Sequence, residues 1–314
     1  AYEITCRDWS SVVCSSDLSR RLGRSLGISP IPKKACNFAC VYCQLGPTDM
    51  MTTHRHEYYP LAEILREFSA YVSGKDTYDV VSIVGEGEPT LYSRLGELIR
   101  GLKEHTTRPV AVITNGALLS DASVRDELAL ADIVLPSLDA YDATAFRKIN
   151  RPAKTITYDN YLNGLQSFAR QYQGQLWLEI MLLKGINDHQ QAIDAFREHL
   201  GAIRHDKLYL NTPVRPPAEK DIEPVPHQRL IEIGELLGGI PIDFLAQGSY
   251  DCDETDDYQA ILNLIRRHPL NQHEIGVFLT ARNIPAAEPL LHRLEQDPDE
   301  ESISYRGYVT YRLK

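Results

Sequence analysis

Cys36-Asn37-Phe38-Ala39-Cys40-Val41-Tyr42-Cys43 places three thiols within eight residues, in a CxxxCxxC spacing. Thiolates are soft ligands suited to iron–sulfur clusters, and a cubane cluster usually takes four of them. No fourth cysteine lies nearby. Three ligands on a four-iron cluster would leave one iron open to something other than protein. Two other readings stay open on spacing alone. A closed zinc site could draw its fourth ligand from His54 or His56, although the spacing is not the paired C-x2-C of zinc ribbons. The thiols could also be ordinary reduced cysteines.

Outward from this loop the chain alternates between two periods. Residues 25–31 read as a first strand closed by Pro30 and Pro32. Residues 61–73 carry apolar side chains at helical spacing (Leu61, Ile64, Leu65, Phe68, Tyr71), and residues 80–84 form a short apolar run of the buried-strand type. The same reading gives helices over 95–103, 121–130, 158–171 and 192–200, and strands over 110–113, 133–135, 176–183 and 207–210. About six strand–helix units in succession mean a parallel sheet with crossover helices. The run falls short of the ~250 residues of an eight-unit barrel. A partial (β/α)6 TIM-type barrel fits the count.

Polar residues follow the apolar strands. They are Gly87-Glu88-Pro89 after residues 80–84, Thr114-Asn115 after the next strand, Ser137 and Asp139 after the third, and Asn211 after 207–210. In such barrels the C-terminal strand ends carry the site. These residues and the cysteine loop are therefore expected on one face, converging on one ligand. Asp139 has a second reading, as the cap of the helix that follows.

The cysteine loop, with an aromatic residue before its last Cys, resembles the signature of the radical S-adenosylmethionine (radical SAM) superfamily. The run from Ser19 through Gly46 is similar, more narrowly, to a wyosine-synthase-like subfamily. The resemblance implies that Cys36, Cys40 and Cys43 hold a [4Fe–4S] cluster whose open iron chelates S-adenosylmethionine. It places Tyr42 beside the adenine and Gly87, Glu88 and Pro89 at the methionine amino group, although Glu86 stands where the family motif has its first Gly. It sets Thr114, Asn115, Ser137 and Asp139 against the rest of the cofactor. Met181 and Leu183 would pack the adenine, though an apolar strand residue is core by default. The implied partners are an electron donor such as flavodoxin or ferredoxin and an RNA, peptide or other anionic substrate. True wyosine synthases build a second cluster from further cysteines. Cys6, Cys14 and Cys252 are too scattered for one, so an unspecified RNA or peptide modification ranks above that reaction.

The 314 residues have an ordinary globular composition, and the net charge of −10 speaks against broad nucleic-acid binding. Arg20, Arg21, Arg24, Lys33, Lys34 and Arg215 are candidates for a local basic rim at the barrel mouth. Arg20, Arg21 and Arg24 read equally well as a solvated face. Cysteine usage fits a reducing cytoplasm, and no apolar run reaches membrane-span length. Residues 1–18 are Ser-rich and aperiodic. They read as a non-native or disordered head. The barrel is assigned to 19–250. An acidic linker over 251–257 then leads into three short helices and a hairpin, a winged-helix-like α+β domain over 251–314. Its third helix carries Glu288 and Glu295 against His292 and Arg293, with Asp297, Asp299, Glu300 and Glu301 beyond. A DNA-reading helix should be basic. This disfavours the main alternative, an iron–sulfur redox sensor with a winged-helix reader.

Overall fold

The computed structural model describes residues 13–19, 21–73, 78–84, 86–242, 256–267, 269–284, 287–305 and 307–314, with the backbone alone for residues 13–18, 266, 267 and 281. Arg20, Cys6, Cys252 and most of the acidic linker lie outside the described residues.

In chain order the first part holds β1 (Val13–Ser19), β2 (Gly23–Ile28), β3 (Ala35–Cys36), β4 (Met50–Met51), α1 (Leu61–Val72) and β5 (Val80–Ile83). Next come α2 (Leu95–His105), β6 (Val110–Thr114), α3 (Ala122–Leu128), β7 (Ile133–Pro136), α4 (Ala143–Ile149), α5 (Tyr158–Gln171) and β8 (Gln175–Met181). The series closes with α6 (Gln190–Ala202), β9 (Lys207–Asn211), α7 (His227–Leu237) and β10 (Ile240–Pro241). From β2 onward the main sheet runs β2-β5-β6-β7-β8-β9-β10, every pair parallel, and β1 joins β2 antiparallel at the edge. This is the expected α/β partial barrel. The helices fall where the 3.6 period placed them, with ends shifted by a residue or two.

The two-residue strands β3, β4 and, further on, Leu270–Asn271 have no counterpart in the sequence reading, and two longer elements also differ from it. Val13–Ser19, whose first six residues were assigned to the aperiodic head, pairs with β2 from Val13↔Ile28 to Ser19↔Gly23. Strand pairing supplies the backbone bonds that the local sequence did not advertise. Helix α4 was not foreseen, because seven residues give barely two turns of periodicity. Its signal was the Asp142 cap, which accepts a hydrogen bond from the Ala145 amide at 2.6 Å.

Alternate residues of each strand point to opposite faces. Val81, Val112, Val134 and Leu178 pack outward against the helices in the main core. Val80, Ala111, Ile133, Leu135, Trp177 and Tyr209 face inward with Leu22 and Ile242 in a smaller cluster. The barrel interior is thus filled, which leaves the strand ends as the place for a site.

Beyond it lie α8 (Asp257–Arg267), β11 (Leu270–Asn271), α9 (Gln272–Ala281), α10 (Glu288–Gln296), β12 (Glu300–Tyr305) and β13 (Tyr308–Leu313). The three strands form one antiparallel sheet in the order β11-β13-β12. Asn271 and Glu274 close a reciprocal capping box at the start of α9. Ile261, Leu264, Ile265, Ile275, Phe278, Leu279, Leu294 and Tyr311 make a core of their own. This unit touches the barrel through the Tyr305 hydroxyl, which donates to the Pro213 carbonyl at 3.1 Å, and through the Arg215–Glu274 ion pair. Among the described residues no helix is long and apolar enough to cross a membrane.

Candidate active site

The cysteine loop is held from three sides by its own backbone. The Ala39 and Val41 amides donate to the Asn150 and Ile149 carbonyls at the end of α4, at 3.0 and 2.9 Å. The Thr52 amide after β4 donates to the Cys36 carbonyl at 3.0 Å. Entry into the loop needs a left-handed backbone at Lys34, with φ of 59°, fixed by bonds from its amide to Glu86 and from Met50 to its carbonyl. Buried Phe38 anchors the middle of the loop edge-on against Phe146, with ring centroids 5.3 Å apart. The three thiols of Cys36, Cys40 and Cys43 then line one cavity of about 330 Å³.

Burial pushes all three thiols up, Cys36 to about 12 with help from the Glu88 carboxylate, while Lys34 and Arg312 pull Cys43 back down. A metal or cluster must therefore displace protons to bind here. The donor set fits an iron–sulfur cluster: three soft sulfurs, each able to take a different iron. The single-ion zinc reading finds no support, since no group of three or more His, Cys, Asp or Glu among the described residues could hold one ion. His56 packs on Tyr58 at 5.7 Å instead.

Two carboxamides address the sulfurs. Asn115 Nδ2 lies 3.5 Å from Cys36 Sγ and donates to Asn37 Oδ1 at 2.7 Å. Asn150 Nδ2 lies 3.6 Å from Cys40 Sγ and donates to Asp139 Oδ2 at 3.0 Å. Asn150 was not foreseen. It follows α4, and without that helix nothing in the sequence placed it near Cys40.

The strand-end residues do gather on the cysteine face, but in two layers. Tyr42, Gly87, Met181 and Asn211 line the cavity. Glu88, Thr114 and Asp139 are buried behind it. Glu88 accepts bonds from Thr90 Oγ1 at 2.5 Å, Thr114 Oγ1 at 2.6 Å and the amides of Thr90 and Asn115. Its carboxylate is occupied with tying the ends of β5 and β6 together, and burial pushes its pKa up against those bonds. Pro89 opens the single 3-10 turn that Glu88 caps. Asp139 accepts from the Tyr42 hydroxyl at 2.5 Å, the Met181 amide at 2.9 Å and Asn150. Burial raises it to about 6. It does not cap α4, a role that falls to Asp142. Ser137 follows β7, and its carbonyl accepts from the Tyr161 hydroxyl. It is not among the cavity-lining residues, and Leu183 is core.

Gly87 is needed by contact. A Cβ there would stand 1.9 Å from the Ala35 carbonyl oxygen, which also accepts the Glu88 amide at 3.0 Å. The strand-end loop is thereby pressed against the residue before Cys36.

The basic rim is redistributed. Arg21 lines the cavity but is ion-paired with Glu179 of β8, whose other oxygen lies 3.4 Å from Asn211 Nδ2. Arg24 pairs with Asp79 at the exposed start of β2, remote from the mouth because it begins the strand whose far end carries the site. Lys34 and Arg215 do line the cavity. Glu179 was missed, although a carboxylate inside the strand Gln175–Met181 was a visible anomaly.

Residues 31–196 match the family model described as the radical SAM superfamily. A protein named GTPase Obg of Brachyspira hyodysenteriae is 33% identical over 94% of this chain, which spans 44% of that protein's length. A UPF0026 protein of Methanocaldococcus jannaschii is 32% identical, over 93% of both chains. Among solved structures, TYW1 with a lysine–pyruvate adduct superposes with a TM-score of 0.54 at 20% identity, over 69% of this chain and 74% of that one. The last is a likeness of fold. Over half of the chain follows the family model and that model spans the cysteine loop and the strand ends from β5 to β8, so this protein belongs to the radical SAM superfamily.

Proposed function

We propose that this radical SAM enzyme modifies an anionic substrate (an RNA, a peptide or a metabolite) that reaches the cavity at the strand ends. The superfamily's cofactors are a [4Fe–4S] cluster and S-adenosylmethionine. Held by Cys36, Cys40 and Cys43, the cluster would supply the single electron for reductive cleavage of S-adenosylmethionine, which would furnish the chemistry for hydrogen-atom abstraction from the substrate. The electron comes from a low-potential donor protein of the flavodoxin or ferredoxin class.

The observation that carries this reading is the convergence of three thiols on one cavity walled by polar strand ends. Cys36, Cys40 and Cys43 are the proposed cluster ligands. Tyr42 and Gly87 are the proposed cofactor contacts, Tyr42 through its ring and Gly87 through its backbone. Glu88, Pro89, Thr114, Asn115 and Asp139 hold those groups in place, and Ser137, set back from the cavity, is tied through its carbonyl to Tyr161 of α5. The chain's part in the chemistry is geometric: it orients the cofactor, excludes water and holds the target carbon close. The separate core of residues 256–314 supports a winged-helix-like module. Its acidic third helix suits packing or protein recognition better than DNA.

The test is anaerobic reconstitution with iron and sulfide, incubation with S-adenosylmethionine and dithionite, and chromatography for 5′-deoxyadenosine. Its absence, with iron bound, would count against the reading. The RNA branch is tested by tRNA binding across salt concentrations, since phosphate contacts make affinity fall steeply with salt. No binding at low salt removes that branch.

A further inference from the structure

The seam between the barrel and the second unit carries two guanidiniums that the proposed cofactor site does not use. Arg215 follows β9 and lines the cavity. Its Nη1 donates to Gln44 Oε1 and its Nη2 to Glu274 Oε1 of α9, both at 3.3 Å. Arg312 of β13 donates through Nε to Glu301 Oε1 across the hairpin, at 2.5 Å. Its Cζ comes within 3.6 Å of the point where a Cβ on Gly46 would stand. Gln44 and Gly46 both line the cavity, two positions apart, so the two cations meet one stretch of the cysteine loop, Arg215 as a lining residue itself and Arg312 through its contact at Gly46.

Each guanidinium also keeps a buried donor, Nε of Arg215 and Nη1 of Arg312, with no hydrogen-bond partner among the described residues. Leaving a buried cationic N–H unpaired is costly, so such groups call for a ligand. Lys34, only 9% exposed and 3.7 Å from Asp49, stands with Arg215 on the cavity wall. Both arginines lie past residue 196, beyond the stretch that the superfamily model matches.

We propose that Arg215 and Arg312 form a seat for one oxyanion of the substrate, a carboxylate or a phosphate, at a site that the second unit completes. This rests on the radical SAM reading above. Two guanidiniums match one such group through paired, charge-assisted bonds. A backbone of phosphates would need cations spread along a groove, and this chain carries a net charge of −10. The substrate is therefore compact, with one charged group held at the seam.

The experiment is calorimetric titration of the reconstituted, S-adenosylmethionine-loaded enzyme with inorganic phosphate and, separately, with acetate. Saturable binding of at least one is expected, weakened about tenfold or more in Arg215→Gln and in Arg312→Gln. The stronger of the two ions identifies phosphate or carboxylate as the source. Arg215→Lys, which keeps the charge and loses the planar fork, should fall between. Iron content and thermal unfolding are measured on each variant. Binding that is absent in wild type, or unchanged in a folded Arg215→Gln, overturns the seat. Loss of iron in Arg215→Gln also overturns it, because the cations would then serve the cluster. If Arg312→Gln does not fold, the Arg215 pair of variants decides. Formation of 5′-deoxyadenosine by wild type is followed alongside. Its absence overturns the proposed function, whereas cleavage without anion binding overturns the seat alone.

Discussion

Gly87→Ala puts the packing between the strand end and the cysteine loop to a direct test. The added Cβ would stand 1.9 Å from the Ala35 carbonyl oxygen, and the same oxygen accepts the Glu88 amide. Gly87 does not use a left-handed backbone, so the effect is steric alone. The neighbour is backbone and cannot rotate away, so the two segments must part by roughly 1 Å or more in a close-packed interior. Losing the Glu88–Ala35 hydrogen bond costs about 1 kcal/mol. Overpacking adds about 1–3 kcal/mol. A total of about 2–4 kcal/mol lowers the barrel's melting temperature by about 4–16 °C. Because Ala35 precedes Cys36, the displacement also moves a proposed ligand, and iron bound per chain should fall. Calorimetry on the apo chain and iron assay after reconstitution read the two effects separately. A Gly87→Ala variant with wild-type melting temperature and full iron would refute the contact argument.

Cys36→Ala, Cys40→Ala and Cys43→Ala should each lose the brown chromophore, most bound iron and all 5′-deoxyadenosine formation. Full activity in any one removes it from the ligand set. Asn150→Leu deletes the donor 3.6 Å from Cys40 Sγ. An N–H near a cluster sulfur favours the more negative, reduced cluster, so the midpoint potential followed by electron paramagnetic resonance should fall with iron content retained. An unchanged potential argues that the amide serves Asp139 alone. Glu179→Gln strips Arg21 of its ionic partner inside the barrel and should cost about 3 kcal/mol in denaturant unfolding. A neutral result would show that the Arg21 head reaches solvent.

Much of this protein was legible in its sequence. Helix and strand periods are local properties of side-chain order, so the alternation over residues 61–211 predicted the parallel sheet, and the apolar spacing of residues 256–314 predicted a second core. The CxxxCxxC loop pointed to a soft-metal site because it packs three soft donors together, and its likeness to the superfamily signature narrowed that to an iron–sulfur cluster. What the tertiary structure decided is which polar strand-end residues face the ligand. Glu88, Thr114 and Asn115 look like Gly87 in sequence, all polar or small residues after an apolar run. Only the pleat and the bonds between loops turn the first three inward to hold the wall and leave Gly87 on it. The pairing of Arg21 with Glu179, and the meeting of Arg215 and Arg312 on one loop, join residues about a hundred or more positions apart. No local pattern encodes such contacts, because they exist only once the sheet has curved and the second unit has packed against its mouth.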